Sequence, residues 1–422
     1  GLVGHGRQGS GTYPVPMAVP DHRASSIVRL TVERVVAGGD GLAREDAGRV
    51  VFVPGALPGE VVDVVLVGAK RDFARAQVVE LIEPSPVRVE APCQARARGC
   101  GGCDWQHVAI AGQLDLKVGI VREALRRTGR LPDAEVSVGG SVQPWGYRTS
   151  MRFAVDGEGR PGLRRGRSND VVDVDECLVA HPALVAMVPS LRVPVAEEVS
   201  LRVSASNGAR SAWWTPPHAV AHGLPADVMV GPQAFVVEQV AGRALRVSAQ
   251  SFFQSGPEAA ELLIATVRKL AGPELDAAGT VVDAYGGVGL FAATCTPAET
   301  EVIVVEGSPS ACADARHNLA DRRAAVHETS VEQWNPCQAD VVIADPSRHG
   351  LGGEAAARLA LTGAATLVLV SCDPVSLARD AVLLHAAGYV HRHTVALDLF
   401  PHTHHVEAVT RFDLGDVALT AG

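Results

Sequence analysis

Leu367 to Asp380 reads LVLVSCDPVSLARD, an apolar run that stops at a cysteine before a proline opens a helix-like pattern. Val368, Leu369 and Val370 predict a buried parallel strand, and Pro374 suits the first helical turn, where its missing N–H costs nothing. Cys372 then stands at the carboxyl end of a strand. In open α/β sheets ligands bind in the crevice beyond those ends, so a thiol there faces a substrate. A lone cysteine is more commonly a small buried hydrophobe, and the neighbouring strand ends decide between the two. VVDAYGGVGLF gives strand, glycine turn and helix in that order, with Asp283 closing the strand. Gly286, Gly287 and Gly289 let the backbone approach a ligand closely. EVIVVE ends on Glu306, 23 positions after Asp283, where a carboxylate can accept hydrogen bonds from the ribose hydroxyls of a nucleoside cofactor. A dinucleotide-binding domain would place the same acid. VVIADPSRHG sets Asp345 at a further strand end, and Glu407 follows 35 positions after Cys372 in FPHTHHVEAVTRF. Helix capping accounts poorly for such a succession of ligand-facing ends.

The chain of 422 residues has room for two or three domains, and 47% hydrophobic against 20% charged residues supplies their cores and argues against disorder. No apolar run approaches the roughly 20 residues needed to span a bilayer. Residues 1–26 read as a leader, of which the first 16, rich in Gly and lacking the regions of a secretory signal, are an appended remnant ahead of a natural start at Met17. A soluble cytoplasmic protein is the expectation, in which eight cysteines signify metal binding or catalysis rather than disulfides. A net charge of −9 opposes general affinity for nucleic acid. Arg88 to Arg167 nevertheless holds 14 Lys and Arg against 8 Asp and Glu, with a knot at Arg164, Arg165 and Arg167 that a polyanion would favour.

Between Ile27 and Pro86 four short runs, IVRLTVERVV, RVVFV, EVVDVVLVG and RAQVVELIE, alternate with turn signals and predict a small closed barrel. CQARARGCGGC then brings Cys93, Cys100 and Cys103 within eleven residues, and Cys177 offers a fourth thiol, enough for an iron–sulfur cluster or tetrahedral zinc. Gln113 to Arg127 has Leu114, Val118, Val121 and Leu125 at helical spacing, and Tyr147 to Val155 and Leu163 to Val174 read as strands. Pro257 starts a further amphipathic helix.

The barrel segment, through GGDGLAR, VVFVPGALPGE and the turn holding Lys70, Arg71 and Phe73, resembles the TRAM domain, an OB-like RNA-binding module. Together with the four cysteines and VVDAYGGVGLF, ADPSRHG, VSCDP and HHVE in order, the chain from Ile27 to Phe412 resembles the RNA (uracil-5-)-methyltransferases. Four positions depart from that family's usual motifs: DPSR for DPPR, SCDP for SCNP, FFQSG where asparagine commonly follows FFQ, and Ser330 in place of an acid.

The resemblance implies a multidomain α/β protein. Its parts are a TRAM OB-like barrel over 27–86, a central α+β domain with the cysteine cluster over 87–246, and a Rossmann-like class I methyltransferase domain over 247–422. It implies S-adenosylmethionine as methyl donor and a [4Fe–4S] cluster on Cys93, Cys100, Cys103 and Cys177, with zinc the alternative. RNA, ribosomal or transfer, is the implied partner; no membrane is, and a monomer suffices. Cys372 is then the nucleophile toward uracil C6 and Glu407 the base that removes the C5 proton. Gln254, Tyr285, Gly287, Glu306 and Asp345 line the cofactor site, while Phe253 and Arg348 meet the substrate. The helix opened by Pro374 would favour the thiolate, and the target nucleotide must flip out of its stack to be reached. His402, His404 and His405 offer metal ligands beside Glu407, but methyl transfer from a sulfonium needs none. Competing readings are an RNA cytosine-5-methyltransferase, which would carry a cysteine near Ser347, a catalytically impaired RNA-binding assembly factor, and a nicotinamide-dependent oxidoreductase, to which DPSR, SCDP and HVE would be useless.

Overall fold

The computed structural model describes residues 26–415, so the leader reading lies almost wholly outside the described residues. Alternation in the first segment buries Leu30, Val32, Val51, Val53, Val62, Val64, Ala74 and Ala76 around one small core. Five strands close around it: Ile27–Val35, Gly41–Arg44, Val50–Val53, Val61–Ala69 and Phe73–Glu83. Gly41–Arg44 is a strand outside the four expected runs, and it passes close to Ala56: a Cβ on Gly41 would come within 2.7 Å of the Ala56 carbonyl oxygen.

Glu60 locks the barrel to the start of the central domain. Its buried carboxylate accepts from the backbone N–H of Leu57 (2.8 Å) and Ser85 (3.2 Å) and from Arg88 Nε (2.5 Å) and Nη2 (2.8 Å). Val35 and Leu57 of the barrel share a second core with Trp105, Val108 and Ile120. The helix carrying Ile120, Ile110–Arg127, begins three residues before the expected start.

Centrally, a six-stranded sheet runs in the order Val228–Val230, Arg210–Thr215, Glu198–Val203, Ser150–Val155, Pro161–Arg164, Val171–Val172. The expected strand at Leu163 to Val174 is two short strands, because the arginine knot forms the turn between them, with Arg167 at φ +60°. The knot is partly neutralised: Arg164 meets Glu198 at 3.4 Å, Arg165 meets Asp170 at 3.7 Å and Arg167 reaches Asp40 of the barrel at 3.5 Å. Trp213 and Trp214 sit half-buried in this sheet, and Trp214 Nε1 donates to the Ala219 carbonyl at 2.8 Å.

Eight strands form the largest sheet, in the order Ala324–Glu328, Glu301–Glu306, Thr280–Ala284, Val341–Ala344, Thr366–Ser371, Glu407–Leu414, Tyr389–Asp398, Val136–Ser141. The first five are parallel, and Glu407–Leu414 inserts antiparallel to both its neighbours. Strand order reverses between Thr280–Ala284 and Val341–Ala344, which opens a crevice at their carboxyl ends. Val136–Ser141 pairs parallel with Tyr389–Asp398 and brings helix Ile110–Arg127 against helix Pro374–Ala386, so a stretch well before the catalytic half buttresses its sheet. Among the described residues no helix is long and apolar enough to cross a membrane.

Candidate active site

The glycine turn is shaped by crowding. A Cβ on Gly286 would meet Val304 Cγ1 at 2.7 Å and the Asp283 carbonyl oxygen at 3.0 Å, while Gly287 at φ +55° has nothing within 4 Å of where a side chain would stand. Tyr285 before them also takes a positive φ, +58°, and its hydroxyl donates to Glu332 Oε1 at 3.4 Å, a partner the sequence did not reveal. Glu306 accepts from Gly287 N at 3.0 Å and Ser308 N at 2.6 Å, and each oxygen keeps a lone pair for a further donor. Asp283 accepts from Ala292 N at 2.9 Å through Oδ2, whereas its buried Oδ1 has no partner.

Asp345 is reached by Gln254, whose Nε2 donates to its Oδ2 at 3.3 Å. Loss of hydration and then the charge of Asp283 push Asp345 up to about 7, and loss of hydration pushes Asp283 up to about 7 as well, with Glu306 adding to it. Crowded carboxylates of this kind suit a cationic ligand, which relieves their repulsion. Open space over Gly287, the unpartnered Asp283 oxygen and the free lone pairs of Glu306 fit a nucleoside bearing a sulfonium.

Cys372 follows strand Thr366–Ser371 as expected, and the antiparallel register that pairs Ser371 with Ala408 brings residue 372 opposite residue 407. Glu407 is buried, and its pKa rises well above the usual range through loss of hydration and then the charge of Asp345, opposed by Arg348. Arg348 is held by its carbonyl, which accepts from Ser376 Oγ at 2.7 Å, and its Nη2 lies 3.5 Å from His405 Nε2. Thiol, two acids and guanidinium thus act on one another across the crevice.

Two expectations are corrected. The thiol is not favoured as thiolate: burial, then Glu407 and Asp345, push Cys372 up to about 12. Asp373 caps the helix that follows, accepting from Ser376 N at 2.7 Å, so that donor is not offered to the sulfur. Phe253, read as a substrate contact, packs in the main core beside Leu263 and Ile264, whereas Phe252 is 74% exposed.

The cysteine segment, far from Glu407 in sequence, lies next to its loop through Asp104 and His404. Cys100, Cys103 and Cys177 are raised by burial first and then by one another's charge or that of Cys93, Cys103 to about 12, so the four free thiols share one neighbourhood. Among the described residues, no three His, Cys, Asp or Glu side chains stand in metal-holding geometry. Beside Cys103, Asp104 Oδ2 lies 2.5 Å from His404 Nδ1 and its Oδ1 accepts from His404 N at 3.1 Å. His402 stacks on Trp145 with ring centroids 3.9 Å apart, while the rings of His404 and His405 lie 4.2 Å from each other.

Residues 25–79 match the TRAM domain family. An RNA methyltransferase of Streptomyces avermitilis is 34% identical over 420 residues, covering 89% of this chain and 95% of that protein. A 23S rRNA (uracil(1939)-C(5))-methyltransferase of Halomonas elongata is 32% identical, covering 92% of this chain and 90% of its own. The chain belongs to the RNA (uracil-5-)-methyltransferase family. The chain is accordingly an S-adenosylmethionine-dependent RNA methyltransferase. The crystal structure of Pyrococcus abyssi tRNA (uracil-54, C5)-methyltransferase with S-adenosyl-L-homocysteine shares the fold, with a TM-score of 0.69 at 22% identity over 91% of this chain and 100% of that one.

Proposed function

We propose that this methyltransferase modifies C5 of a uridine in ribosomal or transfer RNA through a covalent bond between Cys372 Sγ and uracil C6. The observation that carries the reading is the strand register setting Cys372 opposite Glu407, with Asp345 and Arg348 acting on both. Uracil C5 is a poor nucleophile until a thiolate adds to C6 and makes it an enolate carbon. Cys372 loses its proton to solvent water as the S–C6 bond forms, and Arg348 opposes the cost of the negative charge that develops on the enolate. S-adenosylmethionine supplies the methyl group, which C5 takes from the sulfonium. Glu407, a stronger base than an ordinary carboxylate because of its burial, then removes the C5 proton; the C5–C6 double bond re-forms and Sγ departs. Gln254 and Asp345 orient the reacting end, and Glu306 and Gly287 the ribose and its surroundings.

The Halomonas relative is named for ribosomal RNA and the archaeal fold neighbour for transfer RNA. Greater similarity to the former favours ribosomal RNA, and a cytoplasmic location fits either substrate. Division of the chain at 86 and 246 assigns RNA grip to the barrel and the central domain. On the barrel, Lys70 Nζ stands 5.3 Å from the Phe73 ring centroid and Arg75 5.9 Å from that of Phe52, a basic and aromatic surface suited to single strands. Cys93, Cys100, Cys103 and Cys177 are the residues that would hold a structural [4Fe–4S] cluster; the four free thiols share one neighbourhood, but among the described residues they do not stand in metal-holding geometry.

The test is mass spectrometry of nucleosides from unmodified ribosomal and transfer RNA incubated with the protein and labelled S-adenosylmethionine. Labelled 5-methyluridine that vanishes with Cys372→Ala, while RNA binding stays within about twofold, is the expected result. Labelled 5-methylcytidine, or label that survives the substitution, overturns the assignment.

A further inference from the structure

The loop from Leu399 to Val406, which delivers Glu407, has no regular structure, yet nearly all of its first half is held by other elements. Ser255 Oγ donates to the Leu399 carbonyl at 3.2 Å, and Tyr147 Oη to the Pro401 carbonyl at 3.3 Å. Trp105 N donates to the His402 carbonyl at 2.8 Å. His402 is costly in this position: its φ is +69°, and both ring nitrogens are buried without partners. Something must hold it there.

Two fully buried polar side chains of helix Ile110–Arg127 do so. Gln113 Oε1 accepts from His402 N at 2.6 Å, and Gln113 Nε2 is itself fixed by donating to the Val108 carbonyl at 2.9 Å. One helical turn on, Lys117 Nζ donates to Asp398 Oδ1 at 2.5 Å and to the Phe400 carbonyl at 3.1 Å. The contact is relayed. The Phe400 carbonyl also accepts from Thr403 Oγ1 at 2.8 Å, and that oxygen accepts from His405 N at 3.2 Å. His405 stands two residues before Glu407 and beside Arg348.

We infer that Lys117 and Gln113 are positioning residues for methyl transfer, holding the Leu399–Val406 loop so that Glu407 and Arg348 face Cys372. A lysine with no exposed surface is an expensive way to fill a core, since an apolar pair packs as well without desolvating two charges. What an apolar pair lacks is direction. Two groups one turn apart on a single helix, Gln113 Oε1 and Lys117 Nζ, make three hydrogen bonds to Asp398, Phe400 and His402 and fix where the loop's backbone lies, and misplacement of a reacting group by about 1 Å can cost about a hundredfold in rate.

The inference rests on Glu407 as the base, and the experiment separates the two. Lys117→Met, the charge-balanced double variant Lys117→Met with Asp398→Asn, and Gln113→Met are assayed as full chains by steady-state kinetics. Glu407→Gln serves as control, and covalent protein–RNA adduct is read on denaturing gels. The double variant removes both buried charges together, and Gln113→Met disturbs no charge, so folding can survive where the single lysine change fails. The expected result in folded variants is a fall in kcat of about tenfold or more, KM for RNA and S-adenosylmethionine within about twofold, and adduct accumulating as in Glu407→Gln. Normal kcat in the folded double variant and in Gln113→Met overturns the positioning role, whatever the control does. Absence of adduct in Glu407→Gln with kcat unchanged overturns the base assignment, and the positioning of that base with it.

Discussion

Lowering the pH from 8 to 6 should weaken binding of S-adenosylmethionine far more than binding of S-adenosylhomocysteine. Asp283 and Asp345 both sit at about 7 in the free protein, pushed there by loss of hydration and by their acidic neighbours. An acid with that pKa is ionised in about ten of eleven molecules at pH 8 and about one of eleven at pH 6, so each carboxylate that a cation requires contributes about a tenfold change. The sign follows from the raised value: the cation stabilises the ionised form, so affinity is full above about 7 and falls as pH drops through it. Because the two acids repel and titrate as a unit, the total loss lies between about tenfold and a hundredfold. Isothermal titration calorimetry at both pH values, with each ligand, measures it. S-adenosylhomocysteine has the same ribose and amino-acid groups and a neutral sulfur, so its affinity should change by a smaller factor, and Asp345→Asn should flatten the response to S-adenosylmethionine. Parallel slopes for the two ligands would refute the idea that these acids receive the sulfonium charge.

Two further outcomes follow from packing. Gly286→Ala should leave the protein folded but weaken S-adenosylmethionine binding by about tenfold or more, since the new methyl must displace Val304 or the Asp283 carbonyl and move the turn; equal affinity by calorimetry would contradict this. Glu60→Ala removes the acceptor of two buried backbone donors and of Arg88, a loss of about 3–5 kcal/mol for a broken buried pair. Hydrogen exchange should then show the barrel strands opening earlier than the eight-stranded sheet, and unchanged protection there would mean that Glu60 does not tie the barrel down.

What was legible in the sequence was local. An apolar run ending at Cys372 and a proline in the first helical turn specify strand and helix without help from distant residues, and the same holds at Pro257. Asp283, Glu306 and Asp345 could be ranked as ligand-facing because strand ends in a parallel sheet share one side. Phe252 and Phe253 could not be told apart, because only the packing of the segment against helix Pro257–Ala277 decides which ring turns inward. The brace on the Glu407 loop joins residues nearly 300 positions apart, as in Asp104 with His404, and no periodicity reports such a pairing. Lys117 did leave a trace: it lies three residues after Leu114 and four before Val121, on the apolar face of its helix. A charge at that position needs a buried partner, here Asp398.

The thiolate expectation failed for a reason that bears on how the enzyme survives between turnovers. A helix N-terminus lowers a thiol only if its N–H groups are free to point at the sulfur, and Asp373 has taken the Ser376 donor. With two acids facing it, Cys372 remains a thiol at neutral pH, at about 12, and the thiolate is the form that oxidises. One of the two acids that suppress the nucleophile, Asp345, is also one that a cationic methyl donor would neutralise. Binding of the donor therefore removes part of what holds the proton on Cys372, and the guanidinium of Arg348 removes more as substrate closes the crevice. Alkylation of Cys372 by a neutral reagent should accordingly be slow in the free enzyme and faster with S-adenosylmethionine than with S-adenosylhomocysteine, provided both leave the sulfur accessible. A rate that falls equally with both would mean simple occlusion, and the coupling between donor charge and nucleophile would have to be abandoned.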